Sequence, residues 1–172
     1  VIYAYGMELL ISDVLNTIIV LLIALFSHTL PAVVVFIAVF MGLRQFVGGF
    51  HANSHLSCMF TLVMVMMVFS YGICNVSGHI TPIFSISFIM IALPIILCIA
   101  PVPHPNKPMS EEKSVKLRKR SCILAVTLSV VTIALLVFQY QKLSLYVSSG
   151  MLLSAIMALL GHFLNRGDNS KR

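Results

Sequence analysis

Residues 44–58 of this chain read Arg-Gln-Phe-Val-Gly-Gly-Phe-His-Ala-Asn-Ser-His-Leu-Ser-Cys. A guanidinium, two imidazoles, a glycine pair and a thiol share one short stretch, and the chain on either side is almost uncharged. A cysteine becomes a nucleophile when a nearby base or cation generates its thiolate. Cys58 has two candidate bases, His51 and His55. On an unbroken helix, His51 would share a face with Cys58 but lie about 10.5 Å away along the axis. Proton transfer needs heavy atoms about 3 Å apart. The backbone must therefore bend between them, or a second copy of the chain must supply the imidazole. Gly48 and Gly49 permit turns closed to other residues. Asn53 or Ser54 can cap a helix that starts just beyond them. Cys58 would then sit in the first turns, near the positive end of the helix dipole, which favours thiolate. His55, three residues before Cys58, is the better base on spacing alone.

Other chemistry fits the same letters. His51, His55 and Cys58 would share a helix face and could ligate a metal. The zinc-protease pattern on a helix is His-Glu-x-x-His. Here Ala52 stands at the glutamate position, and no carboxylate occurs between Asp13 and Glu111. A zinc hydrolase would lack its general base, so neither a metal nor any other cofactor is expected. A polar re-entrant loop or pore lining also accommodates the stretch. Arg44 is the only Lys or Arg before Lys107. It either snorkels at a membrane edge or holds a peptide carboxylate or the scissile carbonyl. Gln45, its neighbour, joins it as a candidate supporting residue.

The frame around this stretch is set by solvent. The chain has 172 residues, 59% of them hydrophobic and 9% charged, with a mean hydropathy of +1.04. Soluble domains average about 25% charged residues, so lipid must be the main solvent here. The sequence predicts an all-α, polytopic membrane bundle forming a single domain over 1–172. Four spans are expected at 56–74, 80–100, 122–140 and 145–165. Segments 14–27 and 30–43 are each 14 residues long, against about 20 for a full crossing. They are expected to be an N-terminal pair of short tilted spans or re-entrant helices. Pro94 should kink the 80–100 span. The alternating prolines of 101–108 force extended backbone. Ser110 reads as a helix cap, with Glu111 and Glu112 facing the positive dipole end. Cys74, Cys98 and Cys122 read as small buried hydrophobes.

The net charge of +6 is uneven. Lys113, Lys116, Arg118, Lys119 and Arg120 cluster in the 101–121 loop region, and Arg166, Lys171 and Arg172 close the chain. Basic clusters flanking apolar spans set topology and contact anionic lipid, whereas nucleic-acid binding needs a basic face on a soluble fold. The 107–120 segment and the 166–172 tail should both be cytoplasmic. Span parity puts 44–55 on the same side. A peptide transporter without proteolysis is the rival class. It would be expected to carry polar groups at mid-membrane, and the spans hold little beyond Ser and Thr.

The pattern Arg-x3-Gly-Gly-x-His-Ala-x5-Cys over Arg44, Gly48, Gly49, His51, Ala52 and Cys58 resembles AgrB, the accessory gene regulator protein B family. Ala100-Pro-Val-x2-Pro-Asn-Lys-Pro108 followed by basic residues is a second point of likeness. The order of apolar segments is a third. This resemblance implies a bacterial cell-membrane cysteine endopeptidase that processes a quorum-sensing pro-peptide. It implies His51 and Cys58 as the catalytic pair, with Arg44, Gly48 and Gly49 in support and His55 as a neighbour. Lys107 falls within the second motif and is a candidate substrate contact, as are the basic residues 113–120. His104 departs from the acidic residue that some relatives carry there. The implied product is a thiolactone or lactone peptide, formed through an acyl-enzyme thioester. The implied partners are an AgrD-like precursor with an amphipathic leader and an acidic tail, and a second copy of the chain.

Overall fold

A computed structural model of the chain describes residues 14–15, 17–47, 64–65, 67–76, 78–102 and 111–169. The regular elements among these residues are all helices, joined by short turns, with no β-strand. The helices are α1 (Thr17–Phe26), α2 (Leu30–Val47), α3 (Thr81–Ile99), α4 (Glu111–Val137) and α5 (Gln141–Asn169). Four segments are long and apolar enough to cross a membrane: Leu30–Val47, Thr81–Ile99, Ser114–Val137 and Gln141–Phe163. The all-helical membrane architecture expected from composition is therefore present.

Its membership differs in detail from expectation. The 30–43 segment is part of an 18-residue helix, because α2 runs on through Arg44 and Gln45 to Val47. A charge at a helix C-terminus is favourable, so Arg44 need not end the helix. The expected 56–74 span falls largely outside the described residues. α4 is one continuous 27-residue helix that begins at Glu111, directly after Ser110. The basic cluster therefore rides on its first turns. α3 continues past Pro94 to Ile99. Cys98 departs from expectation: it is exposed, while Cys74 and Cys122 are half-buried. Where lipid is the solvent, an apolar side chain gains little by facing protein rather than lipid.

The chain divides into two compact units, 1–34 with 51–75 and 35–50 with 76–172. In the first, α1 ends in a tight turn. His28 takes a left-handed conformation with φ of 54°. The Thr29 N–H donates to the Ala24 carbonyl and the His28 N–H to the Leu25 carbonyl, at 2.9 and 3.3 Å. This is a Schellman closure, with His28 where glycine is usual. Elsewhere in the unit, a π-helical turn over Val68–Gly72 leads into a 3-10 turn over Ile73–Asn75. The Asn75 Nδ2 donates to the Tyr71 carbonyl at 2.9 Å and covers one of its loose ends.

The second unit is built on α5. Residues 147–151 of α5 are all buried, so the helix is enclosed on every side there. Its neighbours bury single narrow seams instead: Phe36, Phe40, Leu43 and Val47 on α2; Thr81, Ser85, Ile89, Ala92 and Ile96 on α3; Ser121, Ala125, Ser129 and Thr132 on α4. Their other faces expose large apolar side chains such as Met90, Ile91, Val130 and Ile133 to lipid. Lipid tails are as apolar as leucine, so burial alone does not drive these helices together. Close backbone approach and hydrogen bonds must do so. A Cβ built on Gly150 would lie 3.0 Å from the Phe36 carbonyl oxygen and 3.1 Å from Val39. The Ser85 and Ser144 hydroxyls meet at 3.1 Å between α3 and α5. The Ser154 hydroxyl lies 3.5 Å from the Phe40 carbonyl, bridging α5 and α2. Ser129, Thr132, Ser148 and Ser154 also donate to carbonyls three or four residues earlier in their own helices. No buried side-chain polar atom among the described residues lacks a partner, as a low-dielectric interior demands.

Helix directions follow from these contacts. The Val102 N–H donates to the Val47 carbonyl at 2.9 Å, joining the C-terminal ends of α2 and α3. Ser85 and Ser144 join the N-terminal ends of α3 and α5. α4 returns antiparallel to α5 through a three-residue turn. There Gln139 has φ of 66°, and Tyr140 and Gln139 donate to Leu135 and Leu136 at 2.8 and 3.1 Å. The ends of α2, α3 and α5 and the start of α4 thus lie at one end of this unit.

Two outcomes follow for stability. Replacing Gly150 with Leu should destabilise the bundle by about 1–3 kcal/mol through overpacking against backbone that cannot retreat. Gly42→Leu, where nothing lies within 4 Å, should change stability by less than about 0.5 kcal/mol. Thermal unfolding in detergent, read by size-exclusion recovery, separates the two. Gln139→Gly should stabilise the α4–α5 turn by about 0.5–1 kcal/mol, because glycine adopts the left-handed conformation without a Cβ clash. Denaturant titration in mixed micelles reads this as a higher midpoint at unchanged slope.

Candidate functional site

The motif stretch begins on α2. Leu43 and Val47 are fully buried on one face of its last turns, and they fix the rotation of the helix about its axis. Arg44 is then half-buried and Gln45 exposed. The Arg44 guanidinium carbon lies 5.5 Å from the centroid of the Phe40 ring, one turn earlier. Helical side chains point back toward the N-terminus, so residues 40 and 44 meet by spacing. At the next turn the Val47 carbonyl would be an orphan of the helix end. Instead it accepts the Val102 N–H. The chain leaves α2 for Gly48 from this anchored point.

Val102 follows α3 directly and opens the proline-rich second motif. Ala100 is extended, its N–H donating to the Ile96 carbonyl, and the Ala100–Pro101 peptide is cis. Ala100 and Val102 belong to the same buried cluster as Leu43, Val47, Ile96, Ala155 and Ala158. The two motif stretches, distant in sequence, are thus tied together where each one starts. Sequence reading missed this link, because a main-chain hydrogen bond between Val47 and Val102 leaves no mark in side-chain identity. It also missed Phe40 as the ring under Arg44, although the spacing of four was a usable signal.

The basic cluster lies at the same end of the unit. Lys113 belongs to the first turn of α4, and Lys116, Arg118, Lys119 and Arg120 are exposed on the turns that follow. The opposite end of the unit carries one exposed lysine, Lys142, among the described residues. The end from which residues 48–58 depart is therefore the positive one, suited to anionic lipid or to an acidic peptide. His51, Cys58, His55, Gly48, Gly49 and Lys107 lie outside the described residues, as does the pairing of His51 with Cys58. Among the described residues no cluster of His, Cys, Asp or Glu could hold a metal.

Comparison with known proteins bears on the whole chain. It is 24% identical over 116 residues to a putative AgrB-like protein of Clostridium beijerinckii. That match covers 66% of this chain and 56% of the relative, so the aligned region spans little more than half of the relative's length. No solved structure matches. The family model for accessory gene regulator B matches residues 1–158, from before the first helix into the last. The chain thus belongs to the accessory gene regulator B (AgrB) family.

Proposed function

We propose that the protein is a membrane-embedded cysteine endopeptidase, with the whole chain acting as one peptidase domain. It cleaves a membrane-bound quorum-sensing pro-peptide of the AgrD type and closes it into a ring. The observation that carries this is the family match over residues 1–158, which takes in the entire Arg44–Cys58 motif. The anchored end of α2 supports it, because a reactive stretch needs a fixed point of departure. The motif end of the bundle and the C-terminal tail would face the cytoplasm of a bacterial cell. The concentration of Lys and Arg at that end supports this orientation.

The reaction has two acyl transfers. His51 takes the proton of Cys58, and the thiolate attacks a peptide carbonyl of the precursor. The carbon–nitrogen bond breaks, and the His51 imidazolium gives its proton to the departing amine. The precursor chain is then held as a thioester on Cys58. A Cys or Ser side chain within that precursor attacks the thioester. The new thiolactone or lactone bond forms as Cys58 leaves as thiolate, and the attacking group's proton returns through His51. A site at the edge of lipid limits water, which lets internal attack compete with hydrolysis. Arg44, with Gln45, Gly48 and Gly49 around it, would hold the precursor's carboxylate or polarise its scissile carbonyl. Lys107 and the basic residues 113–120 would receive the acidic tail or anionic lipid, and the amphipathic leader would lie in the same membrane face. A homodimer would satisfy the geometry if His51 of one chain serves Cys58 of the other.

Purified Cys58→Ala and His51→Ala proteins in liposomes should leave the precursor uncut by mass spectrometry, a loss of about a thousandfold or more. Full cleavage by either would remove the protease assignment. His55→Ala should retain activity within about threefold; complete loss there would make His55 the base. Neutralising Lys116, Arg118, Lys119 and Arg120 to Gln, in uncharged lipid at low salt, should raise KM for an acidic-tailed precursor by on the order of tenfold. A precursor with a neutralised tail should show no such change. Equal KM values for both precursors would assign these charges to lipid.

A further inference from the structure

An arginine near the end of a membrane helix is expected to extend its head outward to water. Arg44 does the reverse. Its guanidinium folds back one turn and lies over the Phe40 ring, with 5.5 Å from Cζ to the ring centroid. Within about 6 Å, the negative face of a ring attracts a cation, more strongly as water is removed. The ring beneath it cannot easily move. Phe40 is 4% exposed. Its ring stacks on Phe36 at 6.4 Å with 11° between planes. The Ser154 hydroxyl of α5 reaches its carbonyl oxygen. Leu43 and Val47 lock the rotation of the same helix turns into the core.

We propose that Phe40 is a positioning residue for the reaction. Its ring face is the seat that holds the Arg44 guanidinium at the place where α2 hands the chain to the Gly48–Cys58 stretch. This rests on the role given to Arg44 above. A guanidinium on a flexible stem would have to be ordered at each encounter with the peptide. One already seated on a buried ring has its plane fixed beforehand, so less freedom is lost when a carboxylate or carbonyl docks. Packing alone makes no use of the ring's charge distribution, whereas a seat for a cation depends on it.

The test replaces Phe40 with mono-, di- and trifluorophenylalanine by nonsense suppression in the full-length protein, reconstituted in liposomes with the precursor peptide. Fluorine withdraws the ring's negative face while barely changing its size. Precursor cleavage should fall stepwise with fluorine number, to a total loss of roughly five- to thirtyfold in kcat/KM. A loss in KM places the guanidinium on the bound peptide, and a loss in kcat places it on the carbonyl in the transition state. The same series at Phe36, equally buried but two helical turns from Arg44 in the sequence, should be flat. Arg44→Ala is run beside them. If it is impaired while the Phe40 series is flat, the seat is overturned and the role of Arg44 stands. If Arg44→Ala is fully active, both are overturned. Folding is followed for every variant by size-exclusion recovery, so that a misfolded protein is not read as an inactive one.

Discussion

The second unit depends on how closely backbones can approach α5. Inside a bilayer the usual reward for burying apolar surface is missing, because the competing environment is equally apolar. What remains is dispersion between well-fitted surfaces and a few hydrogen bonds averaging about 0.6 kcal/mol each. Both need short distances. Gly150, Ser144, Ser148, Ser154, Ala155 and Ala158 supply them, because none carries a side chain large enough to hold a neighbour off. Where α5 is enclosed, at 147–151, three successive residues, Ser148, Ser149 and Gly150, are small. The seams on α2, α3 and α4 are then free to be narrow, with their remaining circumference given to lipid.

From that arrangement follows the fixed position of the end of α2. α2 is held against α5 at Phe36 and Val39 by Gly150, near Phe40 by Ser154, and at its end by Val102. These three points fix the height, rotation and termination of α2. Arg44 lies within the held segment, and Gly48 begins just past it. The end of α2 is thus immobile through its contacts with other elements rather than through its own residues alone.

The all-helical membrane fold was legible in the sequence because length and apolar content alone distinguish a lipid-solvated chain. The ends of α3 at Thr81 and Ile99 were nearly readable, since prolines and polar turns bracket them. The true extent of α2 was not. Arg44 and Gln45 look like an exit from the membrane, and only the ring of Phe40 and the bond from Val102 show why the helix continues. Which faces are buried was also hidden. The spans are apolar all round, so hydrophobic periodicity carries no signal, and the seam of α4 is written in serine, alanine and threonine, and that of α3 partly so. Ser85 and Ser144, 59 residues apart, cannot be paired by inspection. Residue type singled out Cys58 with two candidate bases, spacing alone favoured His55, and only the family resemblance put His51 in that role; all three lie outside the described residues. The bend that would join them belongs to a stretch outside the described residues.

The turn between α4 and α5 has one more consequence. Only Phe138, Gln139 and Tyr140 separate the two helices, and their main-chain donors are already spent on Ala134, Leu136 and Leu135 in turn. A connection this short leaves no slack for one helix to enter the bilayer while the other waits. The two helices are therefore constrained to enter the bilayer together, as a single hairpin. The turn that joins them carries main-chain donors already matched within the chain.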